Sequence, residues 1–246
     1  MVHEFGGPRL PFLAAIRIYM VANLGRYVPG KVLQLVGLTW LARREGVPGP
    51  VALGAAVIGH AIALIGAGCI GAGTLLNAPP PWNRLGWVLL GMGFVLVVVT
   101  SVPRTAVILQ RFWLRLARVD EQDLALARGL RGFGARWTMR YGLNWTLYAL
   151  GFWLFAVGLG GQLSVWDAAP AFAAAYVAGY LALFAPAGIG IREASLVVFL
   201  GASVGPEPAL ALAVAARLWI TLLEVVPAAL LAARTPLSIA SSPSDD

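Results

Sequence analysis

NLGRYVPGKV (Asn23 to Val32) and LFAPAGIGIREAS (Leu183 to Ser195) are two places where a long apolar stretch breaks at proline and glycine beside positive charge. Both proline and glycine disfavour a helix interior, one by lacking an N–H and the other through backbone entropy. Inside lipid, unwound backbone persists only where protein or a water-filled cavity satisfies its polar groups. Broken apolar segments in corresponding parts of two halves are a sequence mark of a transporter's binding site. Everything else in the chain is read outward from these breaks.

The remainder sets the class. Of 246 residues, 59% are hydrophobic and 12% charged, and the mean hydropathy is +0.80. Soluble domains carry roughly twice that share of charge. Several stretches reach the roughly 20 residues that a helix needs to cross a hydrocarbon core. The expected fold is all-α, a polytopic membrane helical bundle. One cysteine, Cys69, rules out an internal disulfide, and two histidines leave too few ligands for a zinc site. Arg17 interrupts the first apolar run, so no cleavable signal peptide is expected.

The net charge of +7 lies mainly in one connector, where eight arginines between Arg104 and Arg140 face Asp120, Glu121 and Asp123. No domain-sized polar segment exists to hold a nucleic acid, and the connector reads as a positive-inside loop. An amphipathic Val107 to Val119 lying on anionic lipid is the alternative. With the connector cytoplasmic, spans are expected over Val51 to Leu76, Leu85 to Val102, Trp137 to Gly160 and Pro208 to Ala233. The result is a single membrane domain, 1–234. Its first half is 11–102, its connector 103–136 and its second half 137–234, with a disordered polar tail over 235–246. The breaks fall inside two segments, 11–42 and 168–204, that are expected as re-entrant hairpins entering from opposite faces, inverted-repeat-like. Two thin full spans, with Pro186 near the inner surface, are the alternative for the second.

Eight ionisable residues fall within the apolar regions: Arg17, Arg26, Lys31, His60, Arg192, Glu193, Arg217 and Glu224. A charged side chain at a helix centre costs about 2.5–3.5 kcal/mol on insertion scales, so each should face inward with a partner. Arg217 and Glu224 are seven apart and share a helix face. Glu193 is placed to pair with Arg217, and for these three an internal ion pair and direct substrate contact stay equally open. His60 reads as a packed histidine. Arg26, Lys31 and Arg192 sit beside breaks where a new helix begins, where backbone N–H groups and cationic side chains together suit phosphate. Snorkelling to an interface is the plain alternative for Arg26 and Lys31. Gly30, Gly188 and Gly190 would admit a headgroup close to the backbone. The small residues of Val51 to Gly73 read as helix packing. No P-loop or GxSxG elbow occurs, and only Asp167 is acidic in the outward loops, so an enzyme reading has little support.

At the two breaks the chain resembles the lysylphosphatidylglycerol synthase transmembrane family, the flippase-like region of multiple peptide resistance factors and their stand-alone relatives. One family signature matches Arg26, Tyr27, Pro29, Gly30 and Lys31. Another matches Pro186, Gly188, Ile189, Gly190, Arg192, Glu193 and Ala194, and a trailing arginine matches Arg217. Members usually carry one or two spans before the first signature, which here arrives by Arg26. The resemblance implies a pseudo-symmetric bundle in a bacterial or archaeal inner membrane that moves lipids with charged or glycosylated headgroups between leaflets. It carries no synthase activity over to this chain. The expectation is therefore a lipid flippase that takes an anionic phospholipid or polyprenyl phosphate, with no cofactor or metal and its oligomeric state open. Arg26, Lys31 and Arg192 would contact phosphate, and Glu193, Arg217 and Glu224 would orient them. A membrane scaffold for lipid-linked glycan synthesis and a lipid-linked transferase are the competing readings.

Overall fold

Prolines stand at several of the helix starts, because a residue without an N–H loses nothing in the first turn. In the computed structural model, which describes residues 1–5, 7–28, 32–76, 78–102, 104–105, 108 and 133–233, Pro11, Pro48 and Pro81 each immediately precede a helix. The helices are α1 (Phe12–Asn23), α2 (Val32–Arg44), α3 (Gly49–Gly71), the single turn α4 (Gly73–Leu76) and α5 (Trp82–Ser101). They continue with α6 (Phe133–Gly158), α7 (Val165–Leu181), α8 (Ile191–Val204) and α9 (Pro206–Ala233). Ser164 caps α7 by accepting from the Trp166 N–H at 3.1 Å. No strand occurs among the described residues, so the all-α expectation holds. Pro29, Gly30 and Lys31, most of the connector including Val107 to Val119, and the 235–246 tail lie outside the described residues.

Side-chain size is sorted in the reverse of a water-soluble helix. Along α9, Leu210, Leu218, Leu222 and Leu230 face outward while Ala209, Ala213, Ala216 and Ala228 are buried. Hydrocarbon solvent removes any drive to hide leucine, and small residues let helices approach closely. In α3, a Cβ on Gly71 would lie 2.8 Å from the Ala174 nitrogen, so the expected small-residue packing is real. Among the described residues, four helical segments are long and apolar enough to cross a membrane: Gly49–Leu76, Trp82–Val99, Pro186–Val204 and Pro206–Ala233. The expected Trp137 to Gly160 span falls in α6, which is 26 residues long, but its arginines, its tyrosines and Asn144 lower its hydropathy.

Two buried clusters organise the bundle. One joins α6 to α9 around Phe152, Phe172 and Leu200, with the Phe152 and Phe172 rings stacked at 4.8 Å. The other gathers α1, α2, the start of α3 and Phe133 of α6 around Val47 and Val51. α9 packs on α8 and on α1, so the last helix bridges the two broken segments.

Candidate functional site

Both sequence breaks are breaks in the structure, and they meet. After α1 the chain tightens into a 3₁₀ turn, Leu24–Tyr27, then turns extended at Val28. Gly25 permits this turn to lie against the start of α2, since a Cβ there would fall 2.6 Å from the Gln34 nitrogen. Gln34 donates from Nε2 to Asn23 Oδ1 at 2.9 Å and ties the two arms together. After α7 the chain passes through a second 3₁₀ turn, Pro186–Gly188, before α8. Ala187 there is left-handed at φ 49°, a conformation that costs a non-glycine residue about 1–2 kcal/mol. The two 3₁₀ turns touch each other, and the first also touches α9.

Charged side chains from α9 hold the breaks. Glu224 accepts from Arg26 with both carboxylate oxygens, and the Tyr27 hydroxyl donates to Glu224 Oε2 at 2.8 Å. Arg217 donates to the Ala187 carbonyl at 3.0 Å, which fixes the left-handed turn, and lies 3.7 Å from Glu193. The Tyr27 ring lies between Arg26 and Arg217, with guanidinium carbons 5.5 and 5.8 Å from its centroid. The pairing of Glu193 with Arg217 follows the sequence expectation. Arg17 of α1 is paired with Glu45 beyond the end of α2.

Position relative to helix ends differs between the two cations. Arg192 is the second residue of α8, as the reading from helix starts requires. Glu193 beside it accepts from the Gly190 N–H at 2.7 Å and so occupies one first-turn donor itself. Arg26, by contrast, lies within the turn that prolongs α1, at the C-terminal end of a helix. A cation is favoured at such an end, so the first break alone presents no helix N-terminus at Arg26. Gly188 is left-handed at φ 73°, and a Cβ on it would lie 2.8 Å from the Gly179 Cα, so it serves contact with α7. Gly190, at φ 83°, has open space where a Cβ would be.

Arg192 is the exceptional residue. It is only 8% exposed. Its guanidinium rests on aromatic faces, 4.8 Å from the Tyr176 centroid and 6.0 Å from that of Phe172, and no carboxylate among the described residues reaches it. It passes directly over Gly179, whose missing side chain makes room for it. Arg192 and Arg26 line one open cavity, together with Glu224, Asn144, Tyr148 and His60. A smaller cavity of about 300 Å³, against Ala187 and Gly179, shares Arg26, Gln34, Tyr176 and Arg192 with it. His60 is packed as expected, bonded to the Ala56 carbonyl at 2.7 Å, but it also faces this space.

Among the described residues no group of three His, Cys, Asp or Glu side chains is placed to hold a metal ion. The amides Asn23, Gln34 and Asn144 were not singled out in the sequence, although three amides in apolar helices were a legible signal. Tyr176 gave none, since a tyrosine in such a helix is ordinary.

Comparison with curated proteins and with solved structures returns no match to this chain. The model of one protein family does match, the lysylphosphatidylglycerol synthase TM region, over residues 4–228. The matched region is the membrane part of that family rather than a catalytic domain. With its apolar helices, inverted side-chain sorting and this match, the chain is an integral membrane protein that belongs to the lysylphosphatidylglycerol synthase transmembrane family.

Proposed function

We propose that this protein is a lipid transporter of the flippase type. It binds the phosphate of an anionic phospholipid or of a polyprenyl-phosphate lipid between the two broken segments and aids its passage between leaflets. Arg192 carries the reading: a buried guanidinium, with no carboxylate partner among the described residues, opens onto a cavity. An isolated buried charge is destabilising, and a phosphate oxygen pair would relieve it. Arg26 lies on the same wall with Glu224 attached, so it exchanges one anion for another rather than becoming charged anew. The broken segments 11–42 and 168–204 act as opposed re-entrant hairpins, and the connector and C-terminus face the cytoplasm. Pro29, Gly30 and Lys31, which lie outside the described residues, are assigned to the same phosphate site from their place in the sequence alone. Glu193 and Arg217 hold the second break and bind no substrate directly.

Proteoliposomes containing acyl-labelled fluorescent phosphatidylglycerol test this, with an outside quencher reporting the exposed fraction. Wild-type protein should expose label that protein-free vesicles protect. Arg192→Gln should slow exposure about tenfold, the usual loss for one charge-assisted contact. Equal rates for wild type, Arg192→Gln and empty vesicles would refute the proposal.

A further inference from the structure

At the connector end of the bundle, away from the broken segments, a carboxylate of the chain itself occupies an anion position. Val2–Phe5 form a 3₁₀ turn. It closes on itself where the Gly7 N–H donates to the Val2 carbonyl at 3.1 Å. A Cβ on Gly7 would fall 3.2 Å from Val51 Cγ1, so the turn lies tightly against α3. Phe5 anchors it, buried with its ring 5.8 Å from that of Phe133 in an edge-on contact. The turn thereby brings Glu4 to the first residues of α6.

Two donors of α6 converge on that carboxylate. Arg136 donates to Glu4 Oε1 at 3.0 Å, and the Trp137 indole N–H donates to Oε2. The Met1 amino group lies 3.7 Å from Oε2 as well. Arg140 stands one helical turn on, with its guanidinium carbon 4.8 Å from the Trp137 centroid. Arg136 and Arg140 are exposed, and Glu4 and Trp137 are half-buried. An ion pair with a solvated partner is weak, so an anion from outside can compete with Glu4. Tryptophan and arginine together suit the level of lipid headgroups, and a leaflet rich in anionic lipid concentrates the competitor there.

We infer that Arg136, Trp137 and Arg140 form a second lipid site, which binds the phosphodiester of an anionic lipid in the leaflet that the connector faces, with Glu4 as its internal competitor. The two unesterified oxygens of a phosphodiester are spaced much like those of a carboxylate. They can therefore take over the bonds from Arg136 and the indole N–H, while Arg140 adds a second positive charge beside them. Glu4 then turns out to water, and Phe5 alone keeps the turn in place. None of these four residues lines the cavity of Arg26 and Arg192, so the site stands whether or not that cavity carries a substrate.

Nitrogen-edited NMR of the purified full chain in detergent tests this through the indole N–H resonance of Trp137, identified by its loss in Trp137→Phe. Dioctanoyl phosphatidylglycerol should shift that resonance saturably. Dioctanoyl phosphatidylcholine, with no net charge, and inorganic phosphate, with no chain to partition into the micelle, should each act about tenfold more weakly. Glu4→Gln should tighten phosphatidylglycerol binding about tenfold, and Arg136→Gln should weaken it about tenfold. The Glu4 result separates a competitor from a merely structural acid, whose loss would not improve binding. An Arg192→Gln chain should respond as the wild type does; loss of the response there moves the effect to the cavity and overturns the second site alone. A Trp137 resonance that phosphatidylglycerol leaves in place overturns the inference, as does a Glu4→Gln affinity no higher than wild type. Phosphatidylcholine or inorganic phosphate binding as tightly as phosphatidylglycerol overturns the assignment to an anionic lipid. The wild-type titrations decide this even where a variant fails to fold.

Discussion

Gly179→Ala is a small change with a large expected effect, because two opposing contributions can be ranked from the structure. In a helix interior alanine is favoured over glycine by up to about 1 kcal/mol. At position 179 the new Cβ would sit 2.1 Å from Arg192 Cγ, 2.9 Å from its Cδ and 3.4 Å from its Cβ. Clearance demands that Cγ retreat by more than an ångström, which rotates the arginine near its root and carries the guanidinium off Tyr176. Overpacking of this kind costs about 1–3 kcal/mol, and a desolvated cation–π contact is worth about 2. The steric and electrostatic losses exceed the propensity gain, leaving a net destabilisation of roughly 2–4 kcal/mol. Thermal unfolding of the purified variant should show a lowered Tm, and affinity for phosphatidylglycerol should fall about tenfold. Gly142→Ala, which meets open space in α6, is the control and should leave both unchanged or raise the Tm slightly. A Gly179→Ala protein with a raised Tm and intact lipid affinity would refute the placement of Arg192 as the ligand.

Glu224→Ala should destabilise by about 3–5 kcal/mol, because it strands Arg26 in a buried site, whereas the double change Arg26→Gln with Glu224→Gln should recover much of that loss; a double-mutant cycle in detergent measures the coupling. Arg217→Lys should lower stability by about 1–2 kcal/mol despite keeping the charge, since one ammonium reaches Ala187 and Glu193 less well than a guanidinium fork; Tm reports it. Gly190→Ala should also cost about 1–2 kcal/mol, from its left-handed backbone alone, with lipid affinity unchanged. For orientation, single cysteines introduced by Arg118→Cys and Pro79→Cys in a Cys69→Ala background should label differently in intact cells: position 79 from outside, position 118 only after permeabilisation.

The sequence disclosed what is local and hid what is distant. Proline and glycine act on their own backbone, so both breaks were visible at Pro186–Gly190 and around Gly25 before any packing was known. Periodicity put Arg217 and Glu224 on one face, and both do reach the breaks. What spacing cannot supply is which cation meets which anion across the bundle. Glu224 takes Arg26 from the far end of the chain, leaving Arg192 to the aromatic faces of Phe172 and Tyr176. The role of Gly179 was invisible for the same reason, since only packed neighbours make a missing methyl group matter. The helix-start rule succeeded at Arg192 and failed at Arg26 because a 3₁₀ turn prolongs α1 past the point where the sequence looks broken.

The bond between Arg26 and Glu224 joins positions 198 residues apart. A ribosome feeding this chain into the bilayer therefore delivers the cation long before its acid has been translated. Through most of synthesis the nascent protein must shelter that guanidinium at the insertion machinery or keep the first broken segment outside the lipid. Chains stopped after Gly205 should be cleared by quality-control proteolysis, and Arg26→Gln should prolong their survival in a pulse-chase measurement.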